Sequence, residues 1–135
     1  MQVVTKLTEN QIKQLHVLYQ NEWWCSERSL EDTKICVENS QVIIGIIDDH
    51  GNLKGFSRIL TDTIFKALIF DVIVAPEYRA KGLGKLLVNA IKTNEMLKNV
   101  KHFELYCKSD MVSFYESYGF TCNVGDIQLM RWSNT

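Results

Sequence analysis

The chain has 135 residues, 15 basic and 16 acidic, for a formal net charge of −1. That length fits one domain spanning residues 1–135, which would bury roughly two thirds of the surface its unfolded form exposes. The balanced charges leave no broad field for holding nucleic acid or an anionic membrane. Met1 to Thr5 lacks the basic start and apolar core of a signal peptide, and no apolar run nears the ~20 residues that span a bilayer. A cytosolic (cytoplasmic) protein is expected, with neither nucleic acid nor membrane as partner. Cys25, Cys36, Cys107 and Cys122 form no C-x-x-C pair, and His16, His50 and His102 are not spaced to join them around zinc. Four reduced, mostly buried thiols and no metal are expected.

In chain order, Gln2 to Lys6 reads as a first strand. A helix follows, signed at its start by a capping box of Thr8 and Gln11 and a staple of Leu7 with Ile12, its buried face carrying Ile12, Leu15, Leu18 and Tyr19. Asn21 to Arg28 breaks the pattern with two adjacent tryptophans, Trp23 and Trp24, which cannot both enter the same core. Ser29 is a fitting N-cap for a short helix to about Glu38. Gln41 to Asp48 is a strand by its β-branched density, Asp49 to Asn52 a hairpin turn, and Leu53 to Thr61 and Lys66 to Ala75 continue a meander without intervening helices. After it come a glycine-containing turn, a helix to about Leu97, a strand from Lys101 to Lys108 and a helix capped by Asp110. Short closing strands are expected near Thr121–Asn123 and Ile127–Trp132. The class is α+β, a central twisted sheet of mixed but mostly antiparallel order flanked by about four helices.

The most informative stretch is Val72 to Leu87, where an apolar strand stops at Pro76, crosses a basic turn and enters a helix. Gly82 and Gly84 let the backbone come close to a ligand, and the free N–H groups at the helix start, with Arg79, Lys81 and Lys85 around them, suit an anion such as phosphate. A dinucleotide fingerprint would need a third glycine where Leu87 stands. A Walker loop would need glycine at 79 and Ser or Thr at 86, where the chain has Arg79 and Leu86. The plainer alternative is an ordinary strand-to-helix turn with lysines for solubility.

Val74-x-Pro76-x-x-Arg79-x-x-Gly82-x-Gly84 resembles the acetyl-CoA motif of the GNAT superfamily of N-acetyltransferases, and Phe114-Tyr-Glu-Ser-Tyr-Gly-Phe120 resembles its second signature. The separation of the two, one helix and one strand, follows the family's order. Ala80 departs from it, since glycine is common there. The resemblance implies a GNAT-like domain with acetyl-CoA as co-substrate and no metal. Its pyrophosphate would be held by the backbone N–H groups of Arg79, Ala80, Lys81, Gly82, Leu83, Gly84 and Lys85, and its pantetheine arm would pair with Val72, Ile73 and Val74 as another strand would. The Val74 amide would then lie near the thioester carbonyl as an oxyanion donor.

Transfer of acetyl to an amine needs a neutral nucleophile, a stabilised tetrahedral intermediate and a proton for the departing thiolate. By the resemblance Tyr115 supplies that proton; the alternative is a helix aromatic packed on the sheet, as Tyr118 is expected to be. Asp71 interrupts the apolar run Ala67 to Val74, and an ionised carboxylate in a central strand is costly unless it faces a cleft or a partner. It is the candidate to bind or deprotonate the amine, against a structural ion pair with Arg58 or Lys66; Glu104 is the alternative carboxylate. The resemblance implies that the connection carrying Trp23 and Trp24 walls the acceptor pocket, and with Asp71 beneath them they would suit a cationic amine through cation–π contact. Their alternative role is closing the core.

The expected activity is therefore acetyl transfer from acetyl-CoA to a primary amine of a small molecule or peptide by direct attack in a ternary complex. Cys107 is the only thiol near the expected site that could carry an acyl group instead. Two rivals stand beside this reading: a non-catalytic acyl-CoA-binding or sensing module, and a protein-interaction domain using its tryptophans. The sequence leaves the oligomeric state open, a homodimer included.

Overall fold

The computed structural model describes residues 1–134. Strand β1 (Gln2–Val4) leads into helices α1 (Glu9–Gln20) and α2 (Leu30–Glu38); strands β2 (Val42–Ile47), β3 (Leu53–Thr61) and β4 (Lys66–Val74) follow as a meander. Helix α3 (Leu83–Lys92), strand β5 (His102–Leu105) and the short helix α4 (Val112–Glu116) complete the order. The five strands lie in sequence order, antiparallel from β1 to β4, with β5 parallel to β4. This is the mixed, mostly antiparallel α+β sheet expected from the sequence.

The first two helices start as their sequences dictate. Thr8 and Gln11 exchange hydrogen bonds of 2.9 and 3.1 Å, and Ser29 and Asp32 exchange two of 3.0 Å, so both are closed by capping boxes. Leu15, Leu18 and Tyr19 of α1 pack with Ile43, Phe56 and Ile73 on one sheet face. Leu83, Leu87 and Ile91 of α3, at i, i+4 and i+8, pack with Ile44, Ile59 and Ile69 on the other. The sheet is thus covered on both sides, α1 and α2 opposite α3.

Four details differ from the sequence reading. Helix α3 stops at Lys92 because Asn94 starts a separate 3-10 turn, its side chain accepting from the Met96 N–H at 3.0 Å. Helix α4 is not capped by Asp110; a 3-10 turn at Ser109–Met111 leads into it with no side-chain cap. The stretches Thr121–Asn123 and Ile127–Trp132 form no strands: residues 121–134 are exposed, because β5 offers only four residues of outer edge and alternating apolar residues become a strand only against a partner. Of the four free cysteines only Cys25 is buried, while Cys107 and Cys122 are exposed.

Candidate active site

The functional region begins with an irregularity in β4. Phe56 pairs with Ile73, but Arg58 pairs with Phe70, so β4 carries one more residue than β3 across this interval. The extra residue produces a β-bulge at Asp71, whose φ is +56°. Buried Ser57 fills the broken ladder by donating its hydroxyl to the Phe70 carbonyl at 2.9 Å. Before the bulge Ala67 and Ile69 face α3; beyond it Val72 and Val74 do, three residues on instead of two. The bulge therefore resets which side chains enter which face.

The same irregularity parts β4 from β5. Their parallel pairing runs from Lys66↔His102 to Ile69↔Leu105 and goes no further, leaving Phe70–Val74 without a strand on that side. The Ala75 N–H donates across to the Lys54 carbonyl at 2.8 Å. By strand alternation the Ile73 amide also points toward β3, while the N–H groups of Val72 and Val74 point into the opening. An extended, amide-containing molecule could pair with them there.

At the end of β4 the chain passes through a 3-10 turn, Pro76–Tyr78, and enters α3 with positive φ at Ala80 (+62°) and Gly82 (+85°). Gly82 is the N-cap residue, left-handed and without a side-chain cap, in contrast to the capped starts of α1 and α2. The backbone N–H groups of Ala80, Lys81, Gly82, Leu83, Gly84 and Lys85 have no acceptor among the described residues. These donors, at the positive end of a helix dipole, form a site built for an anion. The Arg79 amide stands outside the set because it donates to the Pro76 carbonyl at 3.3 Å. The Arg79 side chain turns away from the turn's donors, its Nε to the Val74 carbonyl at 3.3 Å and its Nη2 to Glu22 at 2.7 Å.

The two glycines serve different ends. A Cβ on Gly82 would meet nothing within 4 Å, so its requirement is purely the left-handed backbone. A Cβ on Gly84 would lie 3.1 Å from Phe114 Cζ. Gly84 is therefore small to admit Phe114, which docks α4 against the start of α3 and brings the two sequence signatures into contact.

Tyr115 is 7% exposed, with the Phe114 ring centroid at 5.0 Å and that of Phe120 at 5.9 Å. Its hydroxyl has no hydrogen-bond partner among the described residues. Burial, and secondarily the nearby Cys107, push its pKa up to about 12. It lines a cavity of about 720 Å³ with Leu105, Cys107 and, from the C-terminal stretch, Ile127 and Leu129. The cavity runs along β5 and also touches Leu68 of β4.

Asp71 lies at the centre of a side-chain cluster on the opposite sheet face. Its Oδ2 accepts from Arg58 Nε at 2.6 Å, Arg28 Nη1 at 2.7 Å and the Tyr19 hydroxyl at 2.9 Å, and Oδ1 receives Arg28 Nη2 at 3.4 Å. Burial alone would raise the pKa of this carboxyl, but the hydrogen bonds and charges of the two arginines outweigh it and hold the group below the usual carboxylate range. Of the two ion partners weighed from sequence, Arg58 is present, whereas Lys66 pairs with Glu104 at 3.0 Å. Neither Arg28 nor Tyr19 was visible as a partner in the sequence, since they lie 43 and 52 residues away.

Trp23 and Trp24 are 71% and 40% exposed, so they do not close the core. Each ring lies against a cation of the chain itself: Lys108 Nζ is 4.2 Å from the Trp23 centroid, and the Arg28 guanidinium is 5.7 Å from that of Trp24.

A mixed sheet, parted at a bulge and flanked by an uncapped glycine-led helix, frames the site. Residues 31–122, more than half of the chain, match the acetyltransferase (GNAT) domain, and the chain belongs to the GNAT family of acetyltransferases. It is 32% identical over 123 residues to the uncharacterized N-acetyltransferase ycf52 of Pyropia yezoensis, covering 85% of this chain and 71% of that protein. It is 30% identical over 115 residues to the histone acetyltransferase TAP1 of Glycine max, covering 78% of this chain and 50% of that one. A crystal structure of a GNAT-family protein from Xanthomonas campestris pv. campestris superposes with a TM-score of 0.82 at 26% identity, over 99% of this chain and 94% of that chain. Among the described residues no helix is long and apolar enough to cross a membrane.

Proposed function

We propose that the chain binds acetyl-CoA and transfers its acetyl group to a primary amine by direct attack. The observation that carries this reading is the continuity of two backbone features. The unpaired N–H groups of Val72 and Val74 lead straight into the free N–H groups of Ala80 to Lys85. An amide-bearing arm that ends in a pyrophosphate matches that order of donors.

In this reading the pyrophosphate lies on the Ala80–Lys85 amides and the arm runs along Val72 and Val74. The Val74 N–H stabilises charge as it develops on the thioester oxygen. Tyr115 keeps its proton throughout the neutral range and offers it to the departing thiolate. Asp71 acts as a fixed charge that orders Arg28, Arg58 and Tyr19; a carboxylate with these donors and a lowered pKa is a poor proton acceptor. The amine's proton then leaves through water, or through Glu104, which is exposed beside Lys66.

The test is a thermal melt with and without coenzyme A. At a hundred times the dissociation constant, binding adds about 2.7 kcal/mol, or roughly 10 °C for a domain of this size. An unchanged melting temperature at millimolar coenzyme A would refute the reading.

A further inference from the structure

Resting on the acetyl-CoA reading, we infer that the acceptor amine carries its own anionic group, a carboxylate or phosphate, and that Arg58 is the principal residue that recognises it. The inference comes from the charge balance around Asp71. An isolated carboxylate beneath two tryptophans would favour a cationic acceptor. The structure instead surrounds Asp71 with two guanidinium groups, so its negative charge is already matched and one positive charge is left over.

Arg58 holds the unmet capacity. Only its Nε is used, on Asp71. Its terminal Nη1 and Nη2 have no acceptor among the described residues, although the side chain is only 15% exposed and its guanidinium is held 5.2 Å from the Phe70 ring centroid. Phe70 in turn meets Tyr106 edge-on at 5.9 Å. A planar, pre-positioned pair of donors is the geometry that receives a carboxylate or phosphate.

Lys108 rests on Trp23 with no carboxylate within ion-pair distance among the described residues, so the aromatic wall carries cations already. Two nearby carboxylates are paired elsewhere, Glu22 to Arg79 at 2.7 Å and Glu104 to Lys66 at 3.0 Å. Arg28 and Arg58 therefore share the Asp71 carboxylate, and the Arg58 fork is left without an acceptor among the described residues. A polyamine or a lysine-rich peptide would be repelled, whereas an amine with an acidic group a few bonds away would supply the missing charge.

The experiment compares matched pairs on the full chain with acetyl-CoA: leucine against isoamylamine, and glucosamine 6-phosphate against glucosamine, with spermidine as the cationic control. Thiol release reports turnover, and quenching of tryptophan fluorescence in the presence of coenzyme A reports binding. The acid-bearing member of at least one pair is expected to exceed its neutral partner about tenfold in kcat/KM or in affinity; which pair responds separates carboxylate from phosphate. Equal or better performance by the neutral amines or spermidine overturns the inference, as does the absence of any discrimination in both readouts. Should coenzyme A itself leave the melting temperature unchanged, it is the acetyl-CoA reading that falls.

Two variants sharpen the assignment. Arg58→Lys keeps a charge beside Asp71 but loses the fork, and should raise KM for the acid-bearing amine about tenfold more than it raises that for the neutral amine. Equal losses for both kinds of amine would mark Arg58 as merely structural. Lys108→Ala, at an exposed position, should weaken the acid-bearing amines about threefold more than the neutral ones, and lose that effect at high salt. A uniform effect on all amines would count against the inference.

Discussion

The side of this domain proposed to hold the cofactor is made of backbone, and the side proposed to hold the acceptor is made of side chains. Along β4 and the turn into α3, the groups that matter are amides, and their availability follows from a missing partner strand, a left-handed glycine and an uncapped helix. Around Asp71 the groups are a phenol, two guanidiniums and a carboxylate drawn from α1, the α1–α2 loop, β3 and β4. Backbone donors tolerate most side-chain change and so can be shared across a family. A charge cluster is sensitive to each member, and it is there that one relative can differ from another in the amine it takes.

Perturbations should separate the two sides, and the greatest effect is expected at the point where they meet. Tyr115→Phe should lower turnover by about 10²- to 10⁴-fold, the usual worth of a positioned general acid, with little change in acetyl-CoA affinity. Because the phenol must hold its proton to act, and loses it only as pH rises through its pKa of about 12, the wild-type rate should show no alkaline fall from this group below about pH 11. A stopped thiol-release series across pH 6 to 11 checks both points. An undiminished rate in the variant would move the acid role elsewhere.

Asp71→Asn comes next and should act on stability. It leaves two guanidiniums around a neutral amide, a loss of about 3 kcal/mol for a buried ion cluster broken on one side, measurable by urea denaturation. Its pH counterpart has a definite sign. The folded-state pKa of Asp71 is depressed, so its contribution is present above the unfolded value near 4 and is lost as pH falls through the lowered folded value. A variant as stable as the parent would show that the bulge does not depend on the cluster.

Gly82→Ala is the smallest of the three and should touch only the cofactor side. The added methyl meets no atom, but φ of +85° costs about 1 kcal/mol for a residue with a Cβ. Coenzyme A affinity by calorimetry should fall by about fivefold to tenfold while the amine preference stays as it was. Gly84 is a poorer probe, because a side chain there displaces Phe114 and disturbs Tyr115 as well.

The amino-acid sequence by itself determined the α+β class, the strand and helix order through α3, both capping boxes and the glycine turn. These are local matters: β-branched density, a 3.6-residue period and an N-cap with its partner three residues on are all read within a dozen positions. It also singled out Asp71 as a carboxylate that needs an explanation. What it could not determine was how that carboxylate is satisfied, since Arg28 and Tyr19 reach it only once α1 and the following loop fold over the sheet. The bulge was equally hidden, because Lys66 to Ala75 reads as one continuous strand and the extra residue exists only relative to β3. The closing strands failed for the complementary reason: their alternation was legible, but a strand is made by its neighbour, and β5 provides too little edge. Tertiary structure thus decided the charge balance around Asp71, because electrostatic balance depends on distances in space between residues that the chain keeps far apart.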